Sequence, residues 1–223
     1  MNPINGKFLG NYRIIDSVNH IVNASNYNLH YIEGFLACKD LSQKIGFMKS
    51  LQLKLLPGLD IHTIVLDNYA KDLLLIQNEH TLFIYYQLQA DDGEFGYMGG
   101  IPLKQNEYLS KLIKLPALLQ PFFLDWFNGW SCIPGYSFGL LPINYVQTFE
   151  TLLAKQHFSD DYRNFENAAD WWVVMYNGID SYICLHKDDE SKSMAVFKDK
   201  PPIRNKDFFE LLNNWIQMSL PEK

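Results

Sequence analysis

The run LKQNEYLSKLIKLPALLQPFFLDWFNGWSCIPGYSFGLLPINYVQTFETLL, residues 103 to 153, is the most structured text in the chain. Tyr108, Leu109, Leu112 and Ile113 recur at the spacing of one helix face. Pro116 ends that helix, because the residue before a proline is pushed out of the α region. Leu118, Leu119, Phe122, Phe123, Trp126 and Phe127 form a second apolar stripe. Pro121 interrupts it, so this helix is expected to kink or to start afresh there. Asn128-Gly129 is a stop signal, since both residues tolerate the left-handed conformation. Pro134, Gly135 and Gly139 are turn formers. Pro142 is expected to open a helix carrying Val146, Phe149, Leu152 and Leu153 on one face.

Upstream, Ile14, Ile15, Val18, Ile21 and Val22 predict an amphipathic helix over residues 11–24. Residues 28–38 suit a helix through Tyr31, Ile32, Phe35 and Leu36, weakened by Gly34. Leu41, Ile45, Met48 and Leu51 predict another helix, closed by the turn Leu56-Pro57-Gly58. HTIVLD (62–67), DLLLIQ (72–77) and TLFIYYQLQ (81–89) read as strands, and DDGEFGYMGG (91–100) as a glycine-rich loop. Downstream, DWWVVMY (170–176), SYICLH (181–186) and MAVFKD (194–199) read as strands joined by the turns Asn177-Gly178 and KDDESKS. Asn205 or Asp207 is placed to cap a final helix with Phe208, Phe209, Leu211, Leu212, Trp215 and Ile216. Hairpin-like strands flanked by helices argue for an α+β fold with a mainly antiparallel or mixed sheet. Residues 1–100 are expected to be an N-terminal extension of helices then hairpin strands, as a separate lobe or part of one domain, and residues 101–223 an α+β domain.

The 223 residues are 48% hydrophobic and 15% aromatic, enough for a sizeable core. There are 19 basic and 25 acidic side chains, net −6, with no basic stripe of the kind that binds nucleic acid. An acidic surface suits a basic protein partner, and also simply aids solubility. Cys38, Cys132 and Cys184 are few, odd in number and far apart, which points to a reducing compartment. No secretory leader is expected from the amino terminus, and no apolar run approaches the roughly 20 residues that span a bilayer. A cytoplasmic location follows.

The sharpest catalytic pattern is Gly135-Tyr136-Ser137-Phe138-Gly139, a G-x-S-x-G match. A nucleophile elbow needs a strand before the serine and a helix directly after it. Turn-forming residues precede Ser137 here, while His157 or His186 with Asp160, Asp161, Asp170 or Asp180 supply the remaining members of a triad. A serine hydrolase is therefore the alternative function. His20, His30, His62, His80, His157 and His186 are scattered, without metal-ligand spacing, and no cofactor is expected. The acidic runs Asp91-Asp92-Gly93-Glu94 and Asp188-Asp189-Glu190 lack the alternation of a calcium loop and suit a basic protein better. Trp130, Tyr136, Trp171 and Trp172 are possible interface anchors. Adjacent strand residues point to opposite faces, so one of Trp171 and Trp172 is expected to be exposed.

Residues 103–220 resemble the SUKH superfamily, the Smi/Knr-type bacterial immunity proteins related to a yeast cell-wall-synthesis regulator. The resemblance rests on Glu107, Leu115-Pro116, the aromatics Phe122 to Phe127, Asn128-Gly129, Gly139 to Pro142, the strands from Asp170, and Phe208-Phe209 to Trp215. It implies a non-enzymatic, cytoplasmic antidote that binds and blocks a cognate toxin, often a nuclease. Nuclease toxins tend to be basic because they bind phosphate backbones. The residues expected to meet such a partner are Asp91, Asp92, Glu94, Trp130, Tyr136, Asp160, Asp161, Asp188, Asp189 and Glu190.

Overall fold

The structure is a computed structural model that describes residues 11–79, 81–91, 93–104, 106–132, 137–163 and 165–221, with only the backbone at Asn106 and Glu107. Asp92, Tyr136, His80, Pro134 and Gly135 lie outside the described residues.

In chain order the regular elements are β1 (Arg13–Ile14), α1 (Ile32–Ala37), α2 (Leu41–Leu55), α3 (Asp60–Tyr69), β2 (Ala70–Gln77), β3 (Leu82–Ala90), β4 (Gly93–Gly100) and α4 (Asn106–Leu112). There follow β5 (Trp130–Cys132), β6 (Ser137–Leu140), β7 (Gln147–Thr148), α5 (Phe149–Lys155), β8 (Trp171–Tyr176), β9 (Ser181–His186), β10 (Ser193–Phe197), β11 (Ile203–Lys206) and α6 (Phe208–Ser219). The α+β expectation holds. The strands make one antiparallel sheet in the order β1-β2-β3-β4-β5-β6-β8-β9-β10-β11, with β7 also paired to β8. The sheet runs on across residue 100: Tyr97 and Gly99 of β4 pair with Cys132 and Trp130 of β5.

Several local readings are corrected by tertiary context. Residues 11–24 form the short strand β1 and two 3-10 turns instead of a helix. The reason is Gln77, whose side chain accepts from the Val22 amide at 2.9 Å and donates to the Val22 carbonyl at 2.9 Å, while Ile15 N–H donates to the Leu75 carbonyl. The edge of β2 thus uses backbone groups that a helix would have kept for itself. HTIVLD belongs to α3, not to a strand. Its β-branched residues lose to the burial of Ile61, His62, Val65 and Leu66 on one helical face. The glycine-rich run 93–100 is strand β4, not a loop. A Cβ on Gly99 would stand 2.4 Å from the Phe127 ring, so the missing side chain makes room for a large one.

Between Pro116 and Asn128 the chain makes a 3-10 turn (Ala117–Leu119) and then one wide helical turn (Phe122–Trp126). Phe127 N–H donates to the Phe122 carbonyl five residues back, at 2.8 Å. The second turn continues from the first, since Gln120 and Pro121 are both helical, and the expected fresh start at Pro121 does not occur. Its widening turns Phe122, Phe123, Trp126 and Phe127 all inward. Pro142 opens a tight turn and not a helix; the helix begins only at Phe149, capped by the Thr148 hydroxyl. At the far end Asp207 caps α6 by accepting from Glu210 N–H at 2.8 Å. Phe208, Leu212, Trp215 and Ile216 are buried, each worth roughly 1.5–3 kcal/mol of apolar burial.

Candidate functional site

Three depressions meet at Tyr108. The first, about 150 Å³, has Met98, Gly100 and Ser131 of the central strands among its lining residues, together with Tyr27, Tyr108 and Tyr145. The second, also about 150 Å³, is lined by Leu103, Leu109, Leu112, Phe123, Leu124 and Ile143, among others. The third, about 250 Å³, lies between Tyr108, Lys111, Ile143 and Asn144.

The walls are tied together by short polar contacts. Asn28 N–H donates to the Pro102 carbonyl at 2.8 Å, and Lys104 N–H to the Asn26 carbonyl at 2.9 Å. The Asn28 side-chain amide donates to the Leu124 carbonyl at 2.7 Å. Asn128 Oδ1 accepts from Ile143 N–H at 2.7 Å, and the Asn128 amide donates to the Gly100 carbonyl at 2.6 Å. Gly129, at φ +85°, lets the chain pass against Pro142. The Asn-Gly signal therefore does more than end a helix: it ties β4 to the Pro142 turn beside the depressions. Lys111 donates to the Ile143 carbonyl at 2.6 Å, and its ammonium is shifted down, first by burial and then by nearby Lys155.

On and beside these walls stand exposed apolar side chains. Leu109 is 42% exposed, Ile113 73%, Leu124 37% and Tyr145 50%. A helix face that reads as core in the sequence is half open to solvent here.

The residues expected to meet a partner are not brought together. Register places the β3–β4 turn with Asp91 at one end of the sheet, together with the segment after β10. Asp160 and Asp161 join that end, since Ser159 N–H donates to the Lys198 carbonyl. Five strand spacings, roughly 24 Å, still separate β4 from β10. Asp188, Asp189 and Glu190 lie in the β9–β10 turn at the opposite end. Most of these carboxylates also have local partners. Glu94 pairs with Lys71, Asp160 with Arg163 at 2.9 Å, and Asp189 with Lys192 at 2.8 Å. Asp188 lies 3.8 Å from Lys187, Asp161 accepts from the Ser159 hydroxyl, and Glu190 accepts from Leu118 N–H at 2.6 Å. Hydrogen bonds from Lys192 and Ser191 hold the Asp189 carboxyl at about 2. Such exposed pairs are weak and exchange readily for another cation.

Of the expected aromatic anchors, the three among the described residues are buried. Trp130 is fully buried, stacked on Tyr97 with ring centres 4.7 Å apart. Trp171 and Trp172 are each only 8% exposed, because the sheet is covered on both sides in this half. Tyr136 and Asp92 lie outside the described residues.

Ser137 does not stand on an elbow. It opens strand β6, which pairs with β5 before it and β8 after it, so the serine sits in a strand with no helix directly following. Among the described residues no three His, Cys, Asp or Glu side chains converge as metal ligands. No helix among them is long and apolar enough to cross a membrane. No protein-family model, no curated protein and no solved structure matches the chain.

Sequence reasoning missed the Tyr108 site because its apolar lining residues read as core and its polar ones are scattered along the chain. The one available signal was the crowding of Tyr108, Leu109 and Leu112 on a helix of only seven residues with Ile113 directly after it, more apolar surface than so short an element buries.

Proposed function

We propose that this chain is a binding protein that neutralises a toxin by occluding it, without making or breaking a bond. The observation that carries the reading is the exposed apolar group Leu109, Ile113, Leu124 and Tyr145 around the depressions at Tyr108. Apolar side chains clustered beside preformed hollows and rimmed by polar groups have the character of a docking face. The hollows at about 150 Å³ are smaller than the roughly 300–1,000 Å³ of a small-molecule site, and suit single anchoring side chains of a macromolecule better.

The resemblance to SUKH immunity proteins names the partner as a toxin, and the net charge of −6 favours a basic one through long-range steering. The acidic turns at both ends of the sheet add to that field without forming one epitope. The reading is tested by co-expressing the chain with the product of a neighbouring reading frame. Copurification and rescue of growth are expected. Leu109→Asp with Ile113→Asp should abolish both while leaving the fold intact. A chain that captures no such product and protects no cell ends the proposal.

A further inference from the structure

Among the described residues the lysines divide into those paired with a carboxylate and those that are not, the second group including Lys39, Lys54, Lys200 and Lys206 as well as four lysines at or near the Tyr108 depressions. Lys44, Lys49, Lys71, Lys187, Lys192, Lys198 and Arg163 each contact a carboxylate. Lys104 and Lys111 line the depressions, Lys114 follows one turn after Lys111, and Lys155 is close enough to depress the Lys111 ammonium. Among the described residues none of these four has an ion-pair partner. Lys111 donates to a backbone carbonyl and Lys155 to the Gln147 side chain at 2.9 Å. Lys104, Lys114 and Lys155 are exposed. Asp125, half-buried beside Leu124, is the one described carboxylate between residues 101 and 128. Among the described side chains, lysines thus outnumber carboxylates around this apolar open surface.

From this juxtaposition we infer that the Tyr108 groove takes an acidic amphipathic segment of a protein partner: apolar anchors enter the depressions and carboxylates on their flanks meet Lys104, Lys114 and Lys155. Each half of the surface alone is ambiguous, but together they select. Apolar anchors supply affinity and the charged rim sets orientation and rejects basic segments. This rests on the docking reading above and adds the chemistry of the occupant. A basic toxin satisfies it only by presenting an acidic segment at this face.

The test uses the whole chain and two synthetic 16-residue helical peptides with Leu and Phe at i, i+3, i+4 and i+7. One carries Glu and the other Lys at the remaining positions. Binding of the Glu peptide is expected, weakening as salt rises, with amide shift changes centred on residues 101–128 and 142–145 and reaching Asn28, Ser131 and Lys155. Lys104→Glu, Lys114→Glu and Lys155→Glu together should weaken it roughly tenfold and create binding of the Lys peptide. These side chains are exposed, so the fold is not at risk. Equal binding of both peptides, no binding of either, or capture of anionic vesicles in place of the peptide would overturn the inference. A toxin that copurifies undiminished with the triple variant would sink the acidic-segment idea while sparing the proposed function. Peptide binding without any toxin would do the reverse.

Discussion

His62 Nε2 and the Tyr86 hydroxyl share a 2.9 Å hydrogen bond in the middle of the core, and both side chains are fully buried. The imidazole is walled by Trp126 and Trp130, with ring centres 4.8 and 5.2 Å away at steep angles. Tyr31 closes the same region by donating to the Trp126 carbonyl at 2.5 Å. Helix α3, strand β3 and the aromatic turn are therefore joined by one polar contact inside an apolar cage.

That contact predicts an acid-sensitive fold. Burial, and to a smaller degree the charge of Lys49, lowers the His62 pKa from 6.5 to about 3. A folded-state value below the unfolded one means that the unfolded chain binds the extra proton between these limits. The stability from a neutral His62 is complete above pH 6.5 and falls away as pH drops towards 3. The full span corresponds to roughly 4–5 kcal/mol. Urea unfolding at pH 7.5, 5.5 and 4.5 should show this loss. His62→Phe should be less stable at pH 7.5, by about 1–3 kcal/mol for the Tyr86 hydroxyl left alone, yet flatter with pH. An unchanged slope in the variant would refute the assignment.

Gln77 should act as a clasp for residues 13–22. Its amide holds both backbone groups of Val22, and Arg13 donates to the same Oε1 at 2.5 Å. Gln77→Ala should cost about 1–3 kcal/mol. It should also speed hydrogen exchange at Val22 far more than in α6. Equal protection of Val22 in both proteins would show that β1 holds the segment unaided.

Gly99→Ala should destabilise by roughly 1–3 kcal/mol, since the new methyl meets the Phe127 ring. Adding Phe127→Leu should recover part of that loss. Thermal melts of the two single variants and the double variant give the coupling directly. Simple additivity would contradict the contact.

Ser137→Ala should change neither partner binding nor stability by more than about 0.5 kcal/mol. A serine-directed fluorophosphonate probe is expected to leave the wild type unlabelled, because Ser137 begins a strand paired on both sides and no helix follows it directly. Stoichiometric labelling lost in the variant would revive the hydrolase alternative.

Period and punctuation were sufficient wherever an element's own residues settle its conformation. Asp207 capping α6, the turn at Pro57-Gly58 and the strands β2, β3, β8, β9 and β10 are all legible in the chain, as is the α+β class. The failures lie where a distant group competes for the same backbone or volume. Gln77 draws residues 13–22 out of a helix, Phe127 fills the space that lets a glycine-rich run be a strand, and the cage around His62 makes a helix of HTIVLD. Exposure was hidden for the same reason. Trp130 and Leu109 carry similar hydrophobic signals, yet one lies under the sheet's helical cover and the other at its rim. Burial belongs to the packing of all the elements at once, and no window of neighbouring residues contains it.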